Sequence, residues 1–446
     1  MSSQYSRTIE DWKQVEFAKP ETPMHDPLNC NTTPILRVIK VMSSNNRSYV
    51  PLLIGACTML VLSFGFRAGF GLFMQPLSEA REWGRDVLAM ALAIQNLAWG
   101  VCAVVVGGIA DKYGSTRVML VAIALYAAGI FAMAYSTTEL QIISTAGLMV
   151  GAGVAGTSFG IMLPTIAKVV PEEQRGWAMG IGTAAGSFGQ FLVVPSIQFL
   201  VDGIGWFLAL QVMAGCALLM AVCVIPIAAA NKRAPQSELL PAISLKDIVV
   251  NAFQVKSYLF LIAGFYVCGF HLAFITVHMP AYLVDLGFSA SIGAWSISLI
   301  GLCNVVGSFY VGTLCGKHSM RKLLTLIYFA RAIVISLFLV LPITVPSVLA
   351  FSAAMGFLWL ATVPPTSGLV AVFFGTRYMT FLYGIVFLSH QLGSFTGVWL
   401  GGWVYETYGN YDGVWIAGIV LGLGAAALHW PIEEKDYSQT LKPALV

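Results

Sequence analysis

Apolar stretches of about 20 residues recur a dozen times between residues 51 and 431, separated by short polar or glycine-bearing turns. A helix needs roughly 20 such residues to cross the hydrocarbon core of a bilayer. The pattern predicts spans at about 51–74, 87–108, 117–136, 140–166, 177–200, 206–229, 257–283, 289–313, 323–342, 347–371, 379–402 and 412–431. The first 48 residues are polar and predict a mostly disordered tail. The longest internal polar segment, with Lys232, Arg233, Pro235, Ser237, Glu238 and Pro241, separates six spans from six. The expected organisation is a tail (1–48), a six-helix half (49–230), a linker (231–256), a second six-helix half (257–431) and a second tail (432–446).

Composition agrees with the pattern. The chain is 58% hydrophobic and 10% charged, with mean hydropathy +0.80, which leaves too little charge to cover a water-soluble fold of 446 residues. The expected fold class is an all-α membrane protein of twelve transmembrane helices. Its net charge of +3 says little, but the distribution says more. With alternating spans, 20 of the 24 Lys and Arg fall on one side, and the opposite loops hold only Arg81 and Arg85. By the positive-inside rule both termini face the cytoplasm, and the expected location is the cell (inner) membrane. The eight cysteines are scattered, without CxxC or Cys/His clusters, and read as small buried hydrophobes. No metal or cofactor is expected. No Walker loop or nucleotide fingerprint occurs, so nothing points to an enzyme, and no nucleic-acid partner is expected.

The two sets of spans echo each other. Pro164 has a counterpart in Pro364, Arg175 in Arg377, and the segment Gly107–Arg117 a degraded copy at Gly312–Arg321, offsets of 200, 202 and 205 residues. A near-constant offset predicts pseudo-symmetric halves, an architecture frequent among secondary transporters. Small-xxx-small pairs such as Gly147/Gly151, Gly182/Gly186 and Gly397/Gly401 predict close helix approach in lipid, and in the fifth and eleventh spans a smooth face for rocking.

The segment Gly107-Gly-Ile-Ala-Asp111-Lys112-Tyr-Gly114-Ser-Thr-Arg117 resembles the G-x-x-x-D-R/K-x-G-x-R loop of the major facilitator superfamily. Gly107 suits close packing, Asp111 a charged cap, Gly114 a tight turn and Arg117 the start of the third helix. The resemblance implies a charged latch between the halves, with Arg175 at the start of the fifth span belonging to the same gate. In the second copy Gly316 stands where the Asp would be. The stretch Arg175-Gly-Trp-Ala-Met-Gly180-Ile-Gly182-Thr-Ala-Ala-Gly186-Ser-Phe-Gly189 is similar to a signature of the monocarboxylate-porter family, and Arg67 falls where that family keeps a basic residue. His271 and His278 of the seventh span, and His390-Gln391 of the eleventh, lie in segments similar to bacterial members. Many porters carry an Asp and an Arg one turn apart in the eighth span, where this chain has Asn304 and Ser308.

The charges inside the spans point the same way without the resemblance. None of the 21 Asp and Glu falls mid-span, whereas Arg67 and Arg331 do. An Arg in a helix interior costs at least ~2.5–3.5 kcal/mol and needs an anion or an aqueous cavity. A substrate carboxylate suits Arg67, since a guanidinium grips it with two parallel hydrogen bonds. Arg331 lies in the ninth span, peripheral in the resembled fold, and reads as structural. His271 and His278 are seven apart and share a face, and His278 precedes Met279-Pro280, where the helix is expected to break near the outer gate. Buried histidines are the only intramembrane groups that titrate near neutrality, and Gln95 and Asn96 are further polar liners. The expected substrate contacts are Arg67, His271, His278, Asn304, His390 and Gln391; the expected gate is Gly107, Asp111, Lys112, Gly114, Arg117 and Arg175. The expected function is secondary transport of a small organic anion, a mono- or short dicarboxylate, by alternating access and coupled to protons or anion exchange. Efflux of a lipophilic compound, or a non-transporting membrane sensor, are the alternatives.

Overall fold

In the computed structural model, which describes residues 49–170, 172–231, 245–375 and 379–438, every regular element among the described residues is helical. Helix α1 (Val50–Gly69), with Pro51 in its first turn, runs through a 3₁₀ turn (Phe70–Phe73) into α2 (Met74–Arg81). Then come α3 (Arg85–Tyr113), α4 (Ser115–Tyr135) and a crossing built from α5 (Glu139–Ile142), a π-helical turn (Ile143–Met149), α6 (Val150–Thr157) and α7 (Phe159–Val169). Helix α8 (Glu172–Asn231) is followed by α9 (Leu245–Ala252), α10 (Lys256–Asp285), α11 (Ala290–Cys315), α12 (Met320–Val340), α13 (Val345–Leu358), α14 (Val363–Phe374), α15 (Met379–Tyr408) and α16 (Asp412–His429).

Ten stretches of the described residues are long and apolar enough to cross a membrane. One of them, 178–230, has 53 residues, or roughly 80 Å of helix, enough for two crossings. Helix α15 adds 30 residues with Glu406 as its single Asp, Glu, Lys or Arg. That makes twelve crossings, at ends close to those the apolar pattern predicts.

Four local features differ from the sequence reading. The fifth and sixth spans have no loop between them: the turn is made at Gly205 alone, with φ +80° and ψ 160°, a conformation that glycine adopts without a Cβ clash. The segment Gly107–Arg117 is no loop either; α3 runs to Tyr113, α4 begins at Ser115, and Gly114 makes the corner with φ +89°. Pro280 does not break its helix; it lies inside α10, and a Cβ on Gly293 of α11 would come within 2.8 Å of its Cα, so glycine gives the ring room. The linker contains helix α9, while residues 232–244 and the tails 1–48 and 439–446 lie outside the described residues.

Two crossings are interrupted at matching places. Between α6 and α7 the backbone turns extended at Ser158, and between α13 and α14 it leaves the helix over 359–362. Broken backbone in an apolar medium needs partners for its freed groups. Ser158 Oγ donates to the Ala155 carbonyl at 3.3 Å and is itself held by Trp99 Nε1 at 3.1 Å, and Arg331 donates to the carbonyls of Leu358 (2.7 Å) and Trp359.

Helix α1 packs along α8, and α10 along α15; α3 against α15 and α8 against α11 join the earlier helices to the later ones. Glycine allows the approach. A Cβ at Gly151 would stand 2.5 Å from the Gln95 carbonyl, at Gly397 2.6 Å from that of Phe270, and at Gly100 2.8 Å from Gln391 Cβ.

Candidate functional site

Arg67 is the eighteenth residue of α1, roughly 26 Å along it and far from either end of the crossing. Its Nη2 donates to Asn96 Oδ1 of α3 at 2.6 Å, and its guanidinium lies over the Trp99 ring at 4.8 Å. Asn96 and Trp99 are three apart and share a face of α3. The Asn96 amide nitrogen is already held by the Leu92 carbonyl at 2.8 Å, which turns its oxygen toward the cation. No carboxylate pairs with Arg67 among the described residues, and the side chain keeps partial exposure deep in the bundle.

The site continues onto α15. Gln391 is fully buried; its Nε2 donates to the Asn96 backbone carbonyl at 3.3 Å, and its Oε1 accepts from His390 Nδ1 at 3.0 Å. Trp99 meets Phe387 edge-on at 5.4 Å, and Phe387 stacks on His390 at 5.7 Å. On the other side Phe64 contacts Trp99 at 5.8 Å and Phe159 at 4.2 Å. Arg67, His390 and Gln391 are therefore brought together, with Asn96 between them.

The other expected contacts lie elsewhere. His271 is buried against α16, donating from Nε2 to the Gly418 carbonyl at 2.7 Å. His278 is wholly buried and donates to the Val398 carbonyl of α15 at 2.8 Å, among Phe274 and Tyr411. Asn304 is 1% exposed and makes three hydrogen bonds: Nδ2 donates to Ser187 Oγ (2.8 Å), and Oδ1 accepts from Leu360 N (2.9 Å) and Ser308 Oγ (2.9 Å). These three residues tie helices together rather than face Arg67. Gln95 likewise spans from α3 to the π turn, donating to the Ala146 carbonyl at 2.8 Å. Arg331 is wholly buried at the break between α13 and α14, which agrees with a structural reading. Its Nη1 has no partner, and its guanidinium lies 5.3 Å from the Tyr328 ring.

Of the expected gate, Gly114 makes the corner described above and Arg117 is exposed on the first turn of α4. Gly107, Asp111, Lys112 and Arg175 lie in α3 and α8, and their side chains are outside the described residues.

A tie at the opposite end of the bundle was missed. Arg85, at the start of α3, grips Asp285, at the end of α10, through Nη1 (2.5 Å) and Nη2 (2.7 Å). Its backbone N–H donates to Glu406 Oε1 of α15 at 2.6 Å, its guanidinium covers the Tyr405 ring at 4.2 Å, and Nη1 reaches the Tyr411 hydroxyl at 3.4 Å. Burial pushes the Tyr411 phenol pKa up, so the ring stays neutral beside the pair. At the same end a Cβ on Gly71 would stand 2.7 Å from the carbonyls of Thr276 and Val277, so α10 and the 3₁₀ turn touch through backbone. The available signal was Arg85 itself, one of two cations on its side, together with Asp285, exactly one repeat offset of 200 residues away.

Among the described residues no cluster of three or more His, Cys, Asp or Glu could hold a metal ion. A family model described as Major Facilitator Superfamily matches residues 56–398. Monocarboxylate transporter 12-B of Danio rerio is 23% identical over 322 residues, covering 64% of this chain and 66% of that protein, so the chain spans just under two thirds of that relative's length. The uncharacterized MFS-type transporter YhjX of Escherichia coli (strain K12) is 22% identical over 337 residues, covering 73% of this chain and 81% of that protein. A solved structure of a bacterial homolog to human lysosomal transporter Spinster, inward-facing and unoccupied, superposes with a TM-score of 0.70 over 89% of this chain and 98% of that one, at 13% identity, a likeness of fold.

Proposed function

The chain belongs to the Major Facilitator Superfamily, and on that premise we propose that it is a secondary transporter moving a small organic anion, a mono- or short dicarboxylate, by alternating access. The observation that carries the reading is Arg67: a partly exposed residue deep in the bundle whose guanidinium is held by the neutral Asn96 and Trp99, with no carboxylate to balance it among the described residues. An unbalanced charge at that depth costs at least ~2.5–3.5 kcal/mol. A bound carboxylate removes the deficit and takes the guanidinium in a two-pronged grip. His390 and Gln391 line the same site from α15.

The positive-inside bias puts the Gly114 corner in the cytoplasm and the Arg85 tie outside, in a cell (inner) membrane with both termini cytoplasmic. In that orientation the Arg85–Asp285 pair would hold the outer end shut. Asp111, Lys112, Arg117 and Arg175 would latch the cytoplasmic end in the alternate state. Coupling runs through a proton or a counter-anion. Asn304 carries an amide, which neither takes up nor releases a proton near neutrality, so no proton is carried there.

The test is uptake of radiolabelled organic acids into proteoliposomes. Arg67→Gln is expected to abolish it while the melting temperature stays within a few degrees. Uptake unchanged in this variant would favour efflux of a neutral lipophilic compound, for which the aromatic walls also suffice.

A further inference from the structure

The surroundings of Arg67 narrow the substrate further. Five rings follow one another around the cation: Phe159 against Phe64 (4.2 Å), Phe64 against Trp99 (5.8 Å), Trp99 against Phe387 (5.4 Å), and Phe387 stacked on His390 with planes 8° apart. They come from α1, α3, α7 and α15, so the row crosses from the earlier helices to the later ones. Phe64, Phe159 and Phe387 keep partial exposure, as does Arg67, although all four lie within membrane crossings. Trp99 and His390 of the same row are buried, as are Phe70, Phe73 and Phe265, so the open edge of the row is formed by Phe64, Phe159 and Phe387. Open, planar, apolar walls beside one cation suit a ligand with a flat apolar body and a single negative end.

Charge arithmetic disfavours the dianion. Arg67 offers the one permanent positive charge at the site, the second intramembrane Arg, Arg331, is wholly buried against the carbonyls of Leu358 and Trp359, and Asn96 and Gln391 add only neutral amides. A second carboxylate would be desolvated without a permanent cation of its own. A very short acid is disfavoured for the opposite reason: it satisfies the guanidinium and leaves the aromatic wall wet.

Resting on the organic-anion reading, we infer that the preferred substrate is an aryl or similarly planar monocarboxylate, its carboxylate on Arg67 and its ring against the partly exposed rings of Phe64, Phe159 and Phe387.

The purified full-length protein is titrated with benzoate, lactate, succinate and benzamide, followed by thermal shift and by proteoliposome uptake. Benzoate is expected to bind about tenfold or more tightly than lactate or succinate, because each aromatic contact adds to affinity beyond area burial, and benzamide is expected to give no shift. Phe64→Leu and Phe387→Leu are expected to lower the benzoate-to-lactate affinity ratio, a readout that a general loss of packing does not move; the unliganded melting temperature controls for folding. Lactate or succinate matching benzoate in the wild type, with binding still lost in Arg67→Gln, overturns the aryl preference and leaves the organic-anion reading standing. Benzamide matching benzoate, or benzoate binding that survives Arg67→Gln, overturns both. An unchanged ratio in both aromatic variants overturns the placement of the ring.

Discussion

Breaking the Arg85–Asp285 tie should open one end of the bundle. The pair joins α3 to α10 with two hydrogen bonds of 2.5 and 2.7 Å, and Arg85 is further held by Glu406 and the Tyr405 ring. The Arg85 side chain is 10% exposed and that of Asp285 26%, so the pair is neither a surface ion pair nor a fully buried one. Exposed pairs contribute roughly 0–1 kcal/mol, and losing one partner of a buried pair costs about 3–5 kcal/mol. This geometry places the loss between them, at about 2 kcal/mol, most of it borne by the closed state because water solvates both groups once they separate. That energy is about 30-fold in the ratio of closed to open molecules, enough to carry a conformer of about 1% to about a fifth of the population. The assay is double electron–electron resonance between spin labels on Thr137→Cys and Ser289→Cys, both exposed loop positions, in a background without native cysteines. Arg85→Gln and Asp285→Asn are each expected to add a longer-distance population, and the double variant to add little more, since either change alone removes the pair. Distance distributions identical to wild type in both single variants would refute the argument that this pair holds the end shut.

Other substitutions test the scaffold. Gly100→Val puts a side chain where even a Cβ would stand 2.8 Å from Gln391 Cβ, and overpacking of this kind costs about 1–3 kcal/mol, read as a lower melting temperature and weaker anion uptake together. Arg331→Gln leaves the carbonyls of Leu358 and Trp359 short of donors at a helix break, an expected loss of about 1–3 kcal/mol per unsatisfied group; Arg331→Lys should recover only part, because an ammonium cannot span both carbonyls as the fork does. Asn304→Ala removes one donor and one double acceptor between α8, α11 and the start of α14; it should lower the melting temperature while leaving the pH dependence of uptake unchanged, and a shifted pH profile would reassign Asn304 to coupling.

Much of the architecture was legible because the bilayer imposes one length on every crossing. The seventh span was expected at 257–283 and runs over Lys256–Asp285. What the apolar period does not encode is how each helix is rotated. His271 and His278 carry the side chains that suggest chemistry, yet α10 turns them toward the carbonyls of Gly418 and Val398, where they serve as struts. Arg67 and Asn96 are 29 residues apart and meet only because α1 and α3 present those faces to each other. The Arg85–Asp285 tie spans 200 residues and shows no local signature beyond an isolated cation at a helix start. Gly205 and Pro280 misled in opposite directions: a single glycine replaces an expected loop, and an expected break is absorbed where α11 offers glycine to the proline ring.

Asn96 connects the site to the interface between the helix sets. Its side-chain oxygen takes the Arg67 guanidinium, and its backbone oxygen takes the Gln391 amide from α15. An anion seated on Arg67 competes with Asn96 for the same charge, and any shift of α3 that eases this competition strains a 3.3 Å bond to α15 that is already long. Trp99, one turn further along α3, adds a second link by touching both the cation and Phe387. The proposed substrate site and the α3–α15 contact therefore share the residues Asn96 and Trp99. A ligand that alters the first alters the second by direct contact, and no relay through distant residues is needed for occupancy to bias which end of the bundle is open.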